Sequence, residues 1–591
     1  MSELPLENLV TRLERNARAL TAKDAVIFVR PKGDERVEER LTFGQLRDEA
    51  RAVARWLRGH CADGDRVLLL YPSGLDFVKV LIGCLYAGVV AVPAPAPSGG
   101  GRRGARMAGV ARDADVSMVL TDSGHLAAAE EFLQDAGLGL LPCVATDTVD
   151  LGAADDLPEP PRFPDDKVAV LQYTSGSTSD PKGVLLTHGA LAHNLWLIET
   201  ALGPDQETRA CSWLPPYHDM GLIGMLFSPL YLGASVVLIS PIDFLRRPRL
   251  WFELIQEHRS TFTTAPNFAY DLLAKHITDE QLAGLDLSSV RWALNGSEPI
   301  DARTLERFST RFAAAGFDPA ALKPCYGMAE TALFVAGTPA EHGPVVATVD
   351  VADLEKNVFT PSPAGQSVRQ LVSSGRVVDL DVRIVDPESA AELPAGMVGE
   401  IWVRGRSITA GYWRNPEQTA RTFDAITAGG EGGFVRTGDL GALHDGELYV
   451  TGRIKDVLIV RGRNLYPHDI EREVSTLHQA FEGLQTCVCA VPAERDEREE
   501  IVVMQEFRVP AGTEFDHAAV TRQVRAELGE LLGVRVSNVV LLRPGHVRRT
   551  SSGKVQRSLM RDLFMTEALK PVHEDLDAGI VRRYRAQGGA A

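Results

Sequence analysis

Between about Asp24 and Ala320 the chain alternates short apolar runs with amphipathic stretches, and that rhythm leaves few folds open. Arg66–Tyr71, Ser117–Thr121, Ser235–Ser240, Thr261–Ala265 and Val290–Asn295 read as strands, while Phe77–Ala87, Leu250–His258 and Ala302–Ala315 carry helical periodicity. Helices between consecutive strands supply the crossovers that parallel strands need, and strands covered on both faces read as unbroken apolar runs. The expectation is an α/β architecture. After about Val345 the rhythm changes. Val377–Asp386 and Glu400–Gly405 alternate apolar with polar residues around the turn-rich Pro387–Gly399, which predicts a small antiparallel sheet or barrel. A third unit begins near Gly452, with Ile470–Leu477, Cys487–Val491, Ile501–Val509, a helix at Ala518–Leu532 and Val539–Leu542.

A chain of 591 residues is too long for one core, and at roughly 150 residues per domain it predicts about two to four units. The balance of 62 basic against 79 acidic residues gives a net charge of -17. Phosphate backbones reward a basic face, so nucleic acid and anionic membrane surfaces are disfavoured as general partners. The most membrane-like stretch, Val80–Val92, is bounded by Lys79 and Pro93 and is too short to span a bilayer; it reads as a buried helix running into a strand. Met1–Pro5 shows no basic segment leading into an apolar one, so no secretory signal is expected. Seven cysteines at irregular spacing fit a reducing cytoplasm. Cys487 and Cys489 fall on one face of a strand, a pattern of core packing more than of metal binding.

The chemistry is concentrated in a few stretches. Tyr173–Gly183 reads Y-T-S-G-S-T-S-D-P-K-G after the apolar strand Val168–Leu171, with helical character from Val184 to Leu197. Backbone N–H groups and hydroxyls of such a loop can turn onto a phosphate, and Lys182 adds a mobile positive charge. The spacing is not that of a Walker loop. Ser212–Gly221 places His218 and Asp219 at the head of an apolar run through Leu230, where a carboxylate head could meet a greasy tail; a structural histidine fits equally well. Asn295–Pro299 leaves a strand with a glycine suited to close ligand approach. Tyr326–Glu330 offers an aromatic face for a base, or for core packing, and a carboxylate for Mg²⁺. Arg436–Leu440 sets Asp439 just after a glycine, as ribose recognition wants. Gly452–Asp456 and Arg548–Lys554 add clustered cations to an acidic protein.

Taken in this order, the motifs resemble the adenylate-forming superfamily of acyl-CoA synthetases, peptide-synthetase adenylation domains and luciferases, over nearly the whole chain. Within it the chain looks most like a fatty acyl-AMP ligase, on P-Y-H-D-M-G-L-I-G from Pro216 to Gly224 and V-R-G-R-N-L-Y-P from Val460 to Pro467. The resemblance implies a large N-terminal domain over 1–454, made of two βα-layered sheets plus a small β-barrel subdomain, followed by a small mobile α+β domain over 455–591. It also implies a branch-specific insertion near Val345–Leu371, associated in the ligase branch with loss of productive CoA transfer.

Carried over by position, Thr174, Ser175, Gly176, Ser177, Thr178 and Lys182 would hold the β- and γ-phosphates of ATP. Tyr326 would stack on adenine, with Gly296, Ser297 and Glu298 lining that pocket and Gly327, Met328 and Ala329 beside the nucleotide. Glu330 would ligate Mg²⁺, Asp439 would bind the ribose hydroxyls, and Arg453 would sit near ribose and phosphate. His218 would lie by the carboxylate, and Met220, Gly221, Leu222 and Ile223 would open the acyl pocket. Lys554 looks like the catalytic lysine delivered by the C-terminal domain, with Asp456 at the hinge. Two positions depart from the usual superfamily pattern: Ser179 stands where glycine is usual, and Ala329 where threonine is usual.

The implied reaction joins a medium- or long-chain fatty acid to AMP, releases pyrophosphate, and loads a phosphopantetheine arm for polyketide or lipopeptide synthesis. No L-G-G-[H/D]-S carrier motif occurs in the chain, so the acyl carrier protein would act in trans. A true acyl-CoA synthetase is the nearest competing reading. An amino-acid-activating domain fits less well, because Tyr217-His218-Asp219 replaces F-D-x-S, and a non-catalytic nucleotide-binding protein fits least.

Overall fold

A computed structural model describes residues 6–33, 35–97, 102–152, 159–173, 182–362, 367–460, 463–492, 499–509, 514–532, 536–550 and 553–585. The predicted alternation becomes two large sheets. One has six strands, in the order Cys143–Ala145, Met118–Thr121, Arg66–Tyr71, Val90–Pro95, Val168–Tyr173 and Gly183–Thr187. Its first five strands run parallel, and the last pairs antiparallel with Val168–Tyr173. The other has nine strands, with a parallel centre built from Asp24–Lys32, Ser235–Leu238, Arg209–Ser212, Phe262–Ala265, Trp292–Asn295 and Leu322–Gly327. Antiparallel strands finish both of its edges.

Helix Leu75–Ala87 shows why this chain needs two layers. Every residue in it except Asp76 and Lys79 is buried, which a helix on an open face could not achieve. It crosses helix Phe43–His60 at Gly83, where a Cβ would lie 2.5 Å from the Val53 side chain. The stretch expected to be a buried helix running into a strand is that: the helix ends on left-handed Gly88, and Val90–Pro95 follows as a strand. Pro93–Pro95 therefore belongs to the sheet and Arg102 starts a helix, so the loop expected over Pro93–Arg103 is shorter at both ends.

A second correction bears on the site. The residues after the hydroxyl-rich loop do not begin a helix. Gly183–Thr187 is a strand whose partner is Val168–Tyr173, and the helix starts only at His188, with the Thr187 hydroxyl accepting from the Ala190 N–H. The loop thus joins two antiparallel strands, and no helix N-terminus lies directly beyond it. Thr174–Pro181 itself, with Thr174, Ser175, Gly176, Ser177, Thr178 and Ser179, lies outside the described residues.

The third layer is a four-stranded antiparallel sheet, Asp381–Val385, Gly399–Arg404, Val435–His444 and Glu447–Arg453. Beyond the turn Ile454–Asp456, a separate four-stranded sheet carries Thr486–Pro492, Glu499–Glu506, Asn538–Leu542 and His573–Asp575, covered by helices Pro467–Thr476, His517–Leu532 and Arg557–Met565. Cys487 and Cys489 are buried there among Val491, Met504 and Phe564. Helix Ala578–Tyr584 follows the last strand of this sheet. Among the described residues, no helix is long and apolar enough to cross a membrane.

Candidate active site

Where the two large sheets, the antiparallel sheet and the C-terminal unit meet, they enclose a cleft of about 1760 Å³. That exceeds the roughly 300–1,000 Å³ of an ordinary ligand pocket, so the cleft has room for more than one reactant. Lys182, Tyr326, Glu330, Arg453, Asp456 and Lys554 all face into it, although they come from four separate stretches of sequence.

Three of the residues expected to meet the nucleotide form one network. The Tyr326 hydroxyl donates to Asp439 Oδ2 at 2.7 Å, and Arg453 Nε donates to Asp439 Oδ1 at 2.9 Å. Asp439 is buried, Arg453 lies across the strand pair from it, and the two charges satisfy each other. The strand segment carrying Asp439 is set by a residue that no motif marks. Glu400 is 2% exposed; it accepts from Arg436 Nε and Trp402 Nε1 at 2.9 Å and from the Gly438 N–H at 3.1 Å. In sequence it is only a polar position in an alternating strand, which is why no signal singled it out. On the facing loop, Gly327 is required: a Cβ there would fall 1.7 Å from the Leu333 carbonyl oxygen. Gly296 presses on Cys325, with a Cβ position 2.9 Å from its sulfur, and Ser297 takes a φ of 71° to expose itself to the cleft.

Glu298 departs from expectation. Its carboxylate does not line the cleft and accepts the Phe268 N–H at 2.6 Å, at the start of helix Asn267–His276. Burial pushes its carboxyl up, and the Phe268 N–H, Lys554 and Arg549 pull it back.

Glu330 accepts the Tyr412 hydroxyl at 2.7 Å through Oε1, and Lys182 lies 5.4 Å from the centre of the same tyrosine ring. Burial pushes the Glu330 carboxyl up despite that hydrogen bond. A half-buried carboxylate with this tendency is one that a cation would relieve, so its chemistry fits a Mg²⁺ ligand. Ala329 is buried and the neighbouring Thr331 hydroxyl donates to the Met328 carbonyl, so no hydroxyl replaces the absent threonine.

His218 and Asp219 pair through Nδ1 and Oδ1 at 2.6 Å. Burial alone would raise the Asp219 carboxyl, but His218, Lys554 and the Met220 N–H hold it down to about 2. Asp219 is therefore a fixed negative charge looking at Lys554. From there Met220–Phe227 forms a wide π-helical turn, wholly buried. Met220 and Gly224 line the cleft, together with Ile198, Phe262, Leu294 and Phe334. Gly221, Leu222 and Ile223 do not line it. Leu222 and Ile223 are sealed in the main core, and Gly221 is packed so that a Cβ would lie 2.2 Å from the Pro215 carbonyl oxygen. Residues four apart share a helical face, so Gly224 takes the place that the sequence reading gave to its neighbours.

Lys554 closes the cleft from the C-terminal side. Its turn is pinned by the Thr550 N–H to the Lys554 carbonyl at 2.8 Å and by the Lys554 N–H to the Thr550 hydroxyl at 3.1 Å. Burial and the nearby Arg453 push its ammonium below the ordinary lysine value, against Asp219, Glu298 and Asp439. Asp456 pairs with Arg557 at 3.3 Å, and Arg557 is in turn gripped by Glu471. The expected insertion reaches this boundary too. Its strands Val346–Asp350 and Val368–Val372 pair, Glu355 binds Arg463 through Nε at 2.7 Å and Nη2 at 2.6 Å, and Arg369 pairs with Asp469 at 2.9 Å.

This arrangement is that of an adenylate-forming enzyme, and the comparisons agree: residues 13–413 match the model of the AMP-binding enzyme family, to which the chain belongs. It is 39% identical over 578 residues to a medium-chain-fatty-acid–[acyl-carrier-protein] ligase, JamA, of Moorena producens, covering 96% of this chain and 97% of that one. It is 36% identical to a long-chain-fatty-acid–AMP ligase, FadD32, of Mycolicibacterium smegmatis, with 95% of each chain covered. Among solved structures it is similar to one from a study of fatty acyl-adenylate ligases from E. coli and L. pneumophila, with 31% identity, a TM-score of 0.83 and coverage of 96% and 99%.

Proposed function

We propose that the protein activates a medium- or long-chain fatty acid with ATP as an acyl-AMP, then loads it onto the phosphopantetheine arm of a separate acyl carrier protein. One observation carries this reading: the same cleft is lined by Tyr326 and Arg453, joined behind it through buried Asp439, by Lys554 and Asp219, and by apolar residues around Met220 and Gly224. In the first step a carboxylate oxygen attacks the α-phosphorus, the bond to the bridging oxygen of pyrophosphate breaks, and pyrophosphate leaves with the electron pair. Both reactants are anions, so the site must align them and answer the charge that builds between them. Lys554 is placed to bridge the two. Tyr326, Asp439 and Arg453 fix the nucleoside, Lys182 faces the phosphate side, and His218 stands at the mouth of the apolar arm. Glu330 would hold Mg²⁺, which when bound supplies charge neutralisation to the departing phosphates. In the second step a thiol sulfur attacks the acyl carbon, its proton passes to solvent, and AMP departs.

Transfer needs a different pose of the C-terminal unit, with Asp456 as the hinge. The contacts of Glu355 and Arg369 with Arg463 and Asp469 support the acyl-AMP ligase reading over the acyl-CoA synthetase one, because they tether the first residues past that hinge. Incubation with ATP, Mg²⁺ and acids of graded length, with mass detection of acyl-AMP, tests the proposal. Acyl-AMP that accumulates with CoA present and is consumed by a holo carrier protein is the expected result; a CoA thioester as main product favours the synthetase.

Chain length can be altered at Gly224. A Cβ there would sit 3.2 Å from the Leu333 side chain, so alanine fits tightly and anything larger enters the apolar arm. Gly224→Phe is expected to lower kcat/KM for the longest accepted acids by about 10- to 100-fold relative to the shortest. An equal loss for all lengths would place the arm elsewhere.

A further inference from the structure

The lysine loop touches the large domain at a point that the motifs do not mark. Gly553, directly before Lys554, has a φ of +89°, and a Cβ on it would lie 2.9 Å from Cε1 and 3.2 Å from Cδ1 of Phe268. The glycine therefore packs directly against the phenylalanine ring. Phe268 is itself held from two sides. Its N–H is fixed by half-buried Glu298 at 2.6 Å, and its ring packs edge-on against Trp213 with centroids 6.1 Å apart. Trp213 is stacked on Phe244 at 3.9 Å and opens the segment that ends in His218 and Asp219. Helix Asn267–His276 has no capping side chain at Pro266, so Glu298 does that work from a distant loop.

We propose that Phe268 is a positioning residue for acid activation: its ring is the stop on which Gly553 seats, and this contact sets how far Lys554 reaches toward Asp219. The inference rests on the acid-activation reading and goes beyond it, since Phe268 meets neither ATP nor acid in the proposed mechanism. A ring is a rigid stop at a fixed height, whereas a flexible lysine on an unseated loop samples many positions. Misplacing a reacting group by about 1 Å costs on the order of 10²-fold. Because the seat forms in the pose that brings Lys554 into the cleft, its loss should fall on adenylation and spare transfer.

The test separates the two half-reactions in the full-length protein. Decanoate-dependent exchange of pyrophosphate into ATP reads the first, and transfer from synthetic decanoyl-AMP to pantetheine reads the second. Phe268→Ala is expected to lower kcat of exchange by about 10- to 100-fold with KM for ATP unchanged, and to leave transfer within about twofold of wild type. Phe268→Tyr, which keeps the ring, should restore exchange. Gly553→Ala should cost less in the Phe268→Ala background than alone, since the ring it would strike is gone. Exchange within twofold of wild type for Phe268→Ala, an equal loss in both half-reactions, or strictly additive effects of the pair would each overturn the proposal. Wild-type protein that exchanges pyrophosphate with no acid would overturn the acid-activation reading and this inference with it; normal wild-type exchange beside an unaffected Phe268→Ala overturns this inference alone.

Discussion

Replacing Lys554 by alanine is expected to reduce acid-dependent pyrophosphate exchange on the order of 10²–10³-fold, the usual cost of removing a donor aimed at developing charge. ATP binding should persist, because Tyr326, Asp439 and Arg453 form their own network without the lysine. Isothermal titration with ATP beside the exchange assay separates the two effects, and near-normal exchange would remove Lys554 from the mechanism. The same residue sets a pH limit. Its ammonium is held below 10.5 by burial and by Arg453, and the charged form is the one that bridges two anions. Activity must then fall as pH rises through that lowered value, giving a basic limb in kcat/KM, which reports the free enzyme. Lys554→Arg keeps its charge at any working pH, so whatever rate it retains should lack that limb. A limb that stays in place in the arginine variant would assign it to another group.

The charges around Lys554 also explain why the lysine can be carried on a separate unit. Asp219 is anionic throughout the working range, held there by His218 and Met220 as well as by Lys554. It gives the incoming ammonium a fixed partner before substrate arrives. Glu298 adds a second carboxylate on the same side, and its own burial makes it a weaker anion that gains from the approach of Lys554 and Arg549. Asp219 and Glu298 thus offset part of the cost of burying Lys554 beside Arg453, and the seat at Phe268 holds the docked loop.

The large sheets were legible because strands buried on both faces write continuous apolar runs, as Arg66–Tyr71 and Trp292–Asn295 do. Gly183–Thr187 was not. Val-Leu-Leu fits a helix or a strand equally, and only pairing with Val168–Tyr173, together with the Thr187 cap, decides between them. The π-helical turn of Met220–Phe227 leaves no mark in a run that is apolar at every position, so Leu222 and Ile223 looked like pocket residues when Gly224 is the one at the wall. In the site, residue types were readable from the motifs, but their partners were not. Glu400 organises the Asp439 segment from another strand, Tyr412 reaches Glu330 from a turn beyond the insertion, and Glu298 faces a helix end that no spacing connects to it. Contacts of this kind are set by tertiary packing, which a one-dimensional pattern does not carry.

The end of the cleft proposed to hold the nucleoside yields the other large effect. Asp439 is buried and uses both oxygens, one on Tyr326 and one on Arg453. Asp439→Ala removes a contact to the ribose in the proposed binding mode and leaves a phenol and a guanidinium without their partner. Loss of one member of a buried charged pair costs about 2–5 kcal/mol, and the Arg453 side chain is 48% exposed, so water will recover part of that. The low end of the range corresponds to roughly a thirtyfold rise in KM for ATP. The ribose contact itself can be isolated. Wild type should discriminate strongly against 2′- and 3′-deoxy-ATP, since a site built to hydrogen-bond a hydroxyl leaves its own group unpaired when the hydroxyl is missing. In Asp439→Ala that discrimination should largely vanish while the acid-length profile, set by Gly224 and its neighbours, stays as in wild type. If the variant still rejects the deoxynucleotides as strongly as wild type, Asp439 orders Tyr326 and Arg453 without touching the ribose, and the sugar must be held by another group.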